Sequence, residues 1–93
     1  MEKTITEITA ADSPLSQLMV ELIYIYMEMY YSCNKKAENL AKKELTRVIK
    51  RGSRYGMIDK RKADELAAVD PNAYITFKDV CKRIREIMEF GDN

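Results

Sequence analysis

Residues 14–33 read PLSQLMVELIYIYMEMYYSC, and this stretch decides the fold. Leu15, Leu18, Met19, Leu22, Tyr26, Met29, Tyr30 and Cys33 recur at helical spacing. A second apolar line follows Val20, Ile23, Met27 and Tyr31, leaving a narrow polar stripe of Gln17, Glu21, Glu28 and Ser32. A helix that is apolar most of the way round is either central in its own fold or covered by a partner. Pro14 suits the first helical position, where its missing N–H would have had no partner, and Asp12 or Ser13 can cap that turn.

Working outward, residues 1–12 read as a flexible N-terminal arm and residues 13–91 as a single helical domain. Downstream, residues 35–51 form a second amphipathic pattern. Ala37, Leu40, Ala41, Leu45, Val48 and Ile49 mark its inner side, with Glu44 the exception, and Lys36, Lys43, Arg47 and Lys50 mark the outer side. No Gly or Pro separates it from the first helix, so one long helix is an alternative. A straight helix over residues 14–51 would run about 57 Å and could not fold back on itself. A bend near Ser32–Asn34 is therefore expected.

Gly52 is placed as the residue that ends the second helix, and GSRYG (residues 52–56) as a turn. Asp59 opens a third helix, which Asp70-Pro71-Asn72 stops. Thr76 with Asp79 has the spacing of a capping box, Ile75 is placed to staple onto Val80, and Gly91 ends the fourth helix. The expectation is an all-α bundle of about four helices, over residues 14–33, 35–51, 59–69 and 76–90. The first helix is central or lies at an oligomer interface.

The chemical inventory is short. The chain contains no histidine, which removes the commonest general base and metal ligand. Two cysteines, Cys33 and Cys81, make neither a zinc site nor a disulfide framework, and both read as reduced, semi-buried thiols. No glycine-rich phosphate loop is present. Glu21 and Glu28 share a helix face but stand about 10 Å apart along it, and read as a solvated stripe or as partners for cations. The chain is expected to be non-enzymatic, with no metal and no cofactor. The polar, acidic N-terminus does not resemble a secretory leader, and the apolar run of residues 18–33 is short and interrupted by glutamates. A cytoplasmic location without membrane contact is expected.

A net charge of +1 hides a strong asymmetry. Residues 35–62 hold eleven Lys and Arg against three acids, while both flanks are acidic. Lys36, Lys43, Arg47, Lys50, Arg51 and Arg54 recur along the second helix and its turn, followed by Tyr55 and then Lys60, Arg61 and Lys62. Clustered cations beside an aromatic suit contact with a phosphate backbone, with stacking on a base. The plainer alternative is a lysine-rich solubilising face, and an acidic protein partner is a third. A helix-turn-helix over residues 59–90 fits less well, because residues 70–75 make a long, glycine-free connection and Asp79, Glu86 and Glu89 dilute the basic helix.

Two functions are carried forward. The first is a small helical binding or regulatory protein, self-associating and favouring a dimer, that contacts nucleic acid or a nucleoprotein through residues 35–62. The second is a protein–protein adaptor or inhibitor, such as a phage or mobile-element protein blocking a host enzyme. Either way the Tyr/Met-rich first helix supplies the interface, through Val20, Ile23, Tyr24, Met27, Tyr30 and Tyr31, because Tyr and Met are enriched where surfaces meet.

Overall fold

A computed structural model describes residues 14–89. The N-terminal arm, the Asp12 and Ser13 cap and Gly91 lie outside these residues. About 80% of the described residues are helical and none forms a strand, so the fold is all-α. Four helices follow in order: α1 (Pro14–Tyr30), α2 (Lys35–Arg54), α3 (Lys60–Ala68) and α4 (Phe77–Met88), with a short 3-10 turn, Pro71–Ala73, between the last two. α1 packs against α2, α4 and the 3-10 turn, and α3 bridges α2 to α4.

The bend between α1 and α2 forms because Asn34 caps α2. Its side chain accepts a hydrogen bond from the Ala37 N–H at 2.8 Å, offsetting one of the helix's unpaired donors. α1 therefore stops at Tyr30, three residues short of the Cys33 expected. Asp59 caps α3 in the same way, accepting from the Lys62 N–H at 2.8 Å. Thr76 caps α4, accepting from the Asp79 N–H at 3.3 Å while its hydroxyl donates to the Asp79 carboxylate at 3.1 Å. α3 is thus one residue shorter at each end than the expected 59–69, and α4 starts one residue later than the expected 76 and ends at Met88, with the capping residues outside the helix.

The end of α2 differs from the expectation. Gly52 does not end the helix but sits buried within it, and α2 runs one turn further to Arg54. Gly56 is the left-handed residue, with φ of 78°. The Gly56 N–H donates to the Ser53 carbonyl at 3.1 Å and the Met57 N–H to the Gly52 carbonyl at 2.9 Å, the paired bonds of a Schellman stop. Gly52 is small for a different reason: a Cβ there would lie 2.5 Å from Ile58 Cδ1 and 3.2 Å from Leu18 Cδ2.

The core is one cluster. From α1 it takes Leu18, Met19, Leu22, Ile25, Tyr26 and Met29, and from α2 Ala41, Leu45, Val48 and Ile49. Ile58, Leu66, Val80, Ile84, Ile87 and Met88 complete it. Tyr26 is fully buried, and its hydroxyl donates to the Leu66 carbonyl. Burial disfavours the tyrosinate and pushes the Tyr26 hydroxyl well above its ordinary pKa. Ile75 does not staple onto Val80. Its side chain is 91% exposed, and its carbonyl accepts the Tyr30 hydroxyl at 2.7 Å instead.

Candidate nucleic-acid interface and an apolar cleft

At 100° per residue, Lys36, Lys43, Arg47, Lys50 and Arg54 fall within an arc of roughly 60° on the outer side of α2, over about 27 Å. All five are exposed. The extra turn of α2 is what carries Arg54 onto this row. Lys36, Lys43, Lys50 and Arg54 form no ion pair among the described residues, whereas Arg47 is hydrogen-bonded to Glu44 one turn earlier. Tyr55 follows at the end of the row with 66% of its surface exposed.

The remaining cations of the basic segment do not join this row. Arg51 turns toward α1 and pairs with Glu21, thirty residues earlier in the chain. Lys60 pairs with Asp64 at 3.5 Å. Arg61 pairs with Glu65 at 3.2 Å and with Glu89 at 2.9 Å, contacts that hold its guanidinium above its ordinary pKa. Three cations in the first turn of α3 oppose the helix dipole, and neighbouring carboxylates offset two of them. The segment expected to act as one site is therefore split between an open row on α2 and a cluster on α3 in which Lys60 and Arg61, though not Lys62, are paired with carboxylates. The periodicity of α2 is visible in sequence, but the long-range partners of Arg51 and Arg61 leave no local signal.

The proposed interface residues of α1 also divide. Ile23 and Tyr30 turn toward the core side. Ile23 packs against the buried cluster, and Tyr30 reaches the Ile75 carbonyl and the Phe77 ring, 5.6 Å between centroids. Val20 and Met27 are half-buried, whereas Tyr24 and Tyr31 are 47% and 63% exposed. Ala37 and Leu40, expected on the inner side of α2, are exposed too, Leu40 by 59%. They lie on the flank of α2 that lines the opening between α1 and α2.

Of these side chains, Tyr24, Tyr31, Ala37 and Leu40 line an open cleft of about 1000 Å³ between α1 and α2, and Val20, Ile23, Met27 and Tyr30 do not. Its floor is Ile25, Ala41 and Val48, its walls include Tyr24, Tyr31, Ala37 and Leu40, and Glu21, Glu28, Glu44 and Arg51 stand at its edges. Pattern reading missed this cleft because it arises between two helices. At one end Tyr31 is in ring contact with Phe77, 6.0 Å between centroids, so the apolar surface continues toward α4.

The two thiols are unpaired. Cys33, expected to be semi-buried, is exposed because α1 ends at Tyr30 before reaching it, whereas Cys81 is half-buried and that burial raises its thiol above its ordinary pKa. No cluster of metal-ligating side chains occurs among the described residues, and no helix is long and apolar enough to cross a membrane.

Fold and surface together define an all-α four-helix protein with a basic row on one helix and a separate apolar cleft beside it. The chain matches no protein-family model, no curated protein and no solved structure.

Proposed function

We propose that this is a non-enzymatic binding protein that lays the outer face of α2 along the phosphate backbone of a nucleic acid. The observation that carries the reading is the row of five exposed cations, four of them without an acidic partner among the described residues. Lys36, Lys43 and Lys50 repeat every two turns, about 10.5 Å apart, with Arg47 and Arg54 between and beyond them. Each phosphate neutralised releases condensed counterions, which supplies affinity that falls steeply with salt.

The arc is narrow. A helix inserted in a major groove meets phosphates on both flanks and bases ahead of it, which calls for polar contacts over a wider arc. A single line of cations suits one strand's backbone, and so binding with little sequence preference. Tyr55, beside Arg54, is placed to stack on an unpaired base at the end of the row.

Lys43→Glu combined with Lys50→Glu tests the reading, with Lys60→Glu combined with Lys62→Glu on α3 as a control of equal charge change. Fluorescence anisotropy with a labelled 20-base-pair duplex at low salt should show at least tenfold weaker binding for the double variant. The control should stay within about threefold of wild type. Equal losses in both would mean that overall charge, not this face, drives binding.

A second reading, a protein–protein contact, is favoured by the clustering of Tyr24, Tyr31 and Leu40 on the one cleft.

A further inference from the structure

We infer that the C-terminal end of α2 is a subsite for an unpaired nucleotide. The phosphate lies in a groove lined by Arg47, Lys50, Arg51 and Arg54, the base stacks on Tyr55, and the preferred partner is a duplex with a single-stranded extension. The inference rests on the reading of α2 as a phosphate-binding row and goes beyond it by naming the form of nucleic acid.

The cations converge at this end of the helix. A groove of about 520 Å³ has as its lining Glu44, Arg47, Lys50, Arg51 and Arg54. Even with Glu21, which reaches Arg51 from α1, four cations face two acids. Those two carboxylates hold the guanidiniums of Arg47 and Arg51 in place. A guanidinium carries five N–H donors in a fixed fork, so each arginine keeps donors for a phosphate. Lys50 and Arg54 form no ion pair among the described residues.

Tyr55 stands beside this groove. Its N–H donates to the Arg51 carbonyl at 3.2 Å, which keeps it in helical position one turn beyond Arg51 and next to Arg54. Residues four apart on a helix are surface neighbours. Directly afterwards the chain turns back into the core, through the left-handed Gly56 to the buried Ile58, and the Tyr55 ring is left open. The carbonyl end of a helix favours cations for its own stability. That accounts for Arg51 and Arg54 but not for a large exposed ring beside them.

Three aromatic rings are exposed among the described residues: Tyr24, Tyr31 and Tyr55. Tyr24 and Tyr31 line the α1/α2 cleft, where Glu21, Glu28 and Glu44 outnumber Arg51 and would repel a phosphate. At Tyr55 an open ring and a surplus of cations meet. A continuous duplex keeps its base faces stacked inside, so only an unpaired base can lie flat on this ring.

Fluorescence anisotropy with three labelled probes tests this. One is a blunt duplex, one the same duplex with a short thymidine extension, and one carries an extension of equal length built from abasic sites. Both extended probes are made in 5′ and 3′ versions. The two extensions hold the same phosphates, so their affinity ratio reads the bases alone. In at least one polarity the thymidine probe should bind at least about fivefold more tightly than the abasic one, the lower end of what stacking on an aromatic ring supplies. Tyr55→Ala should bring that ratio to about one, and Tyr55→Phe should keep it, because stacking uses the ring and not the hydroxyl. Lys36→Gln, at the far end of the row, should weaken all probes and leave the ratio unchanged. Equal binding of thymidine and abasic probes, a ratio that survives Tyr55→Ala, or one lost in Tyr55→Phe would overturn the subsite while blunt-duplex binding left the α2 row standing. A chain that binds none of the probes would overturn both.

Discussion

Replacing Gly52 by alanine sets two effects against each other, and the structure decides the sign. Alanine in a helix interior is favoured over glycine by about 0.8–1.0 kcal/mol. Against this, the new Cβ would stand 2.5 Å from Ile58 Cδ1, 2.9 Å from Ile58 Cγ1 and 3.2 Å from Leu18 Cδ2. Ordinary carbon contacts are near 3.5–4.0 Å. Ile58 is 2% exposed and Leu18 equally so, leaving neither side chain open space to retreat into. Overpacking of this kind costs about 1–3 kcal/mol. The net expectation is destabilisation by about 1 kcal/mol, which in a domain of this size lowers Tm by roughly 4–8 °C. Urea titration followed by helical circular dichroism would measure it. A second variant isolates the cause. Ile58→Val removes Cδ1, the atom closest to the new methyl group, and alone costs about 0.5–1.5 kcal/mol. In that background Gly52→Ala should destabilise less than in the wild type, because the closest atom is gone while the γ carbon at 2.9 Å remains, giving a positive coupling of up to about 1 kcal/mol between the two positions. Stabilisation by about 1 kcal/mol in the wild-type background would refute the packing argument and leave Gly52 as an ordinary helix glycine.

Other consequences follow from the same geometry. A methyl group added at Gly56 would meet nothing within 4 Å, yet the φ there is 78°, so Gly56→Ala should cost about 1–2 kcal/mol through backbone strain alone, and a cavity-making change at Ile58 should not relieve it. Urea titration of the single and double variants checks this. Burial raises the Tyr26 pKa above its value in the unfolded chain, which is near 10. Stability from keeping this hydroxyl neutral is therefore fully present below about pH 10 and is lost as the pH rises beyond it. In an ultraviolet titration Tyr26 should ionise only together with alkaline unfolding, and Tyr26→Phe should remove that component. Simple early ionisation of all six tyrosines would contradict its burial.

The helices were legible because their signals are local. Asp59 and Thr76 precede amphipathic runs and cap them, and the hydrophobic spacing of residues 15–29 marks the buried face of α1. The end of α2 was not legible, because two glycines four residues apart both suit a helix stop. Only the approach of Ile58 to Gly52, and the left-handed backbone at Gly56, distinguish them. Apolar pattern also overstated the inner side of α2. Ala37 and Leu40 share its phase, but burial depends on whether another element arrives to cover them, which no local spacing records. Ile25 shows the converse, since it stands outside both apolar lines read from the sequence yet is 5% exposed. In the basic segment, the row on α2 is a periodicity and could be read directly. The withdrawal of Arg51 by Glu21 and of Arg61 by Glu89 depends on tertiary approach across about thirty residues.

The central claim is that the α2 row meets phosphate. The most direct measurement is the salt dependence of duplex binding by the wild-type chain between 50 and 200 mM monovalent salt. With four or five phosphate contacts, log K should fall against log salt with a slope of about −4. No binding at the lowest salt, or binding with a slope near zero, would contradict it.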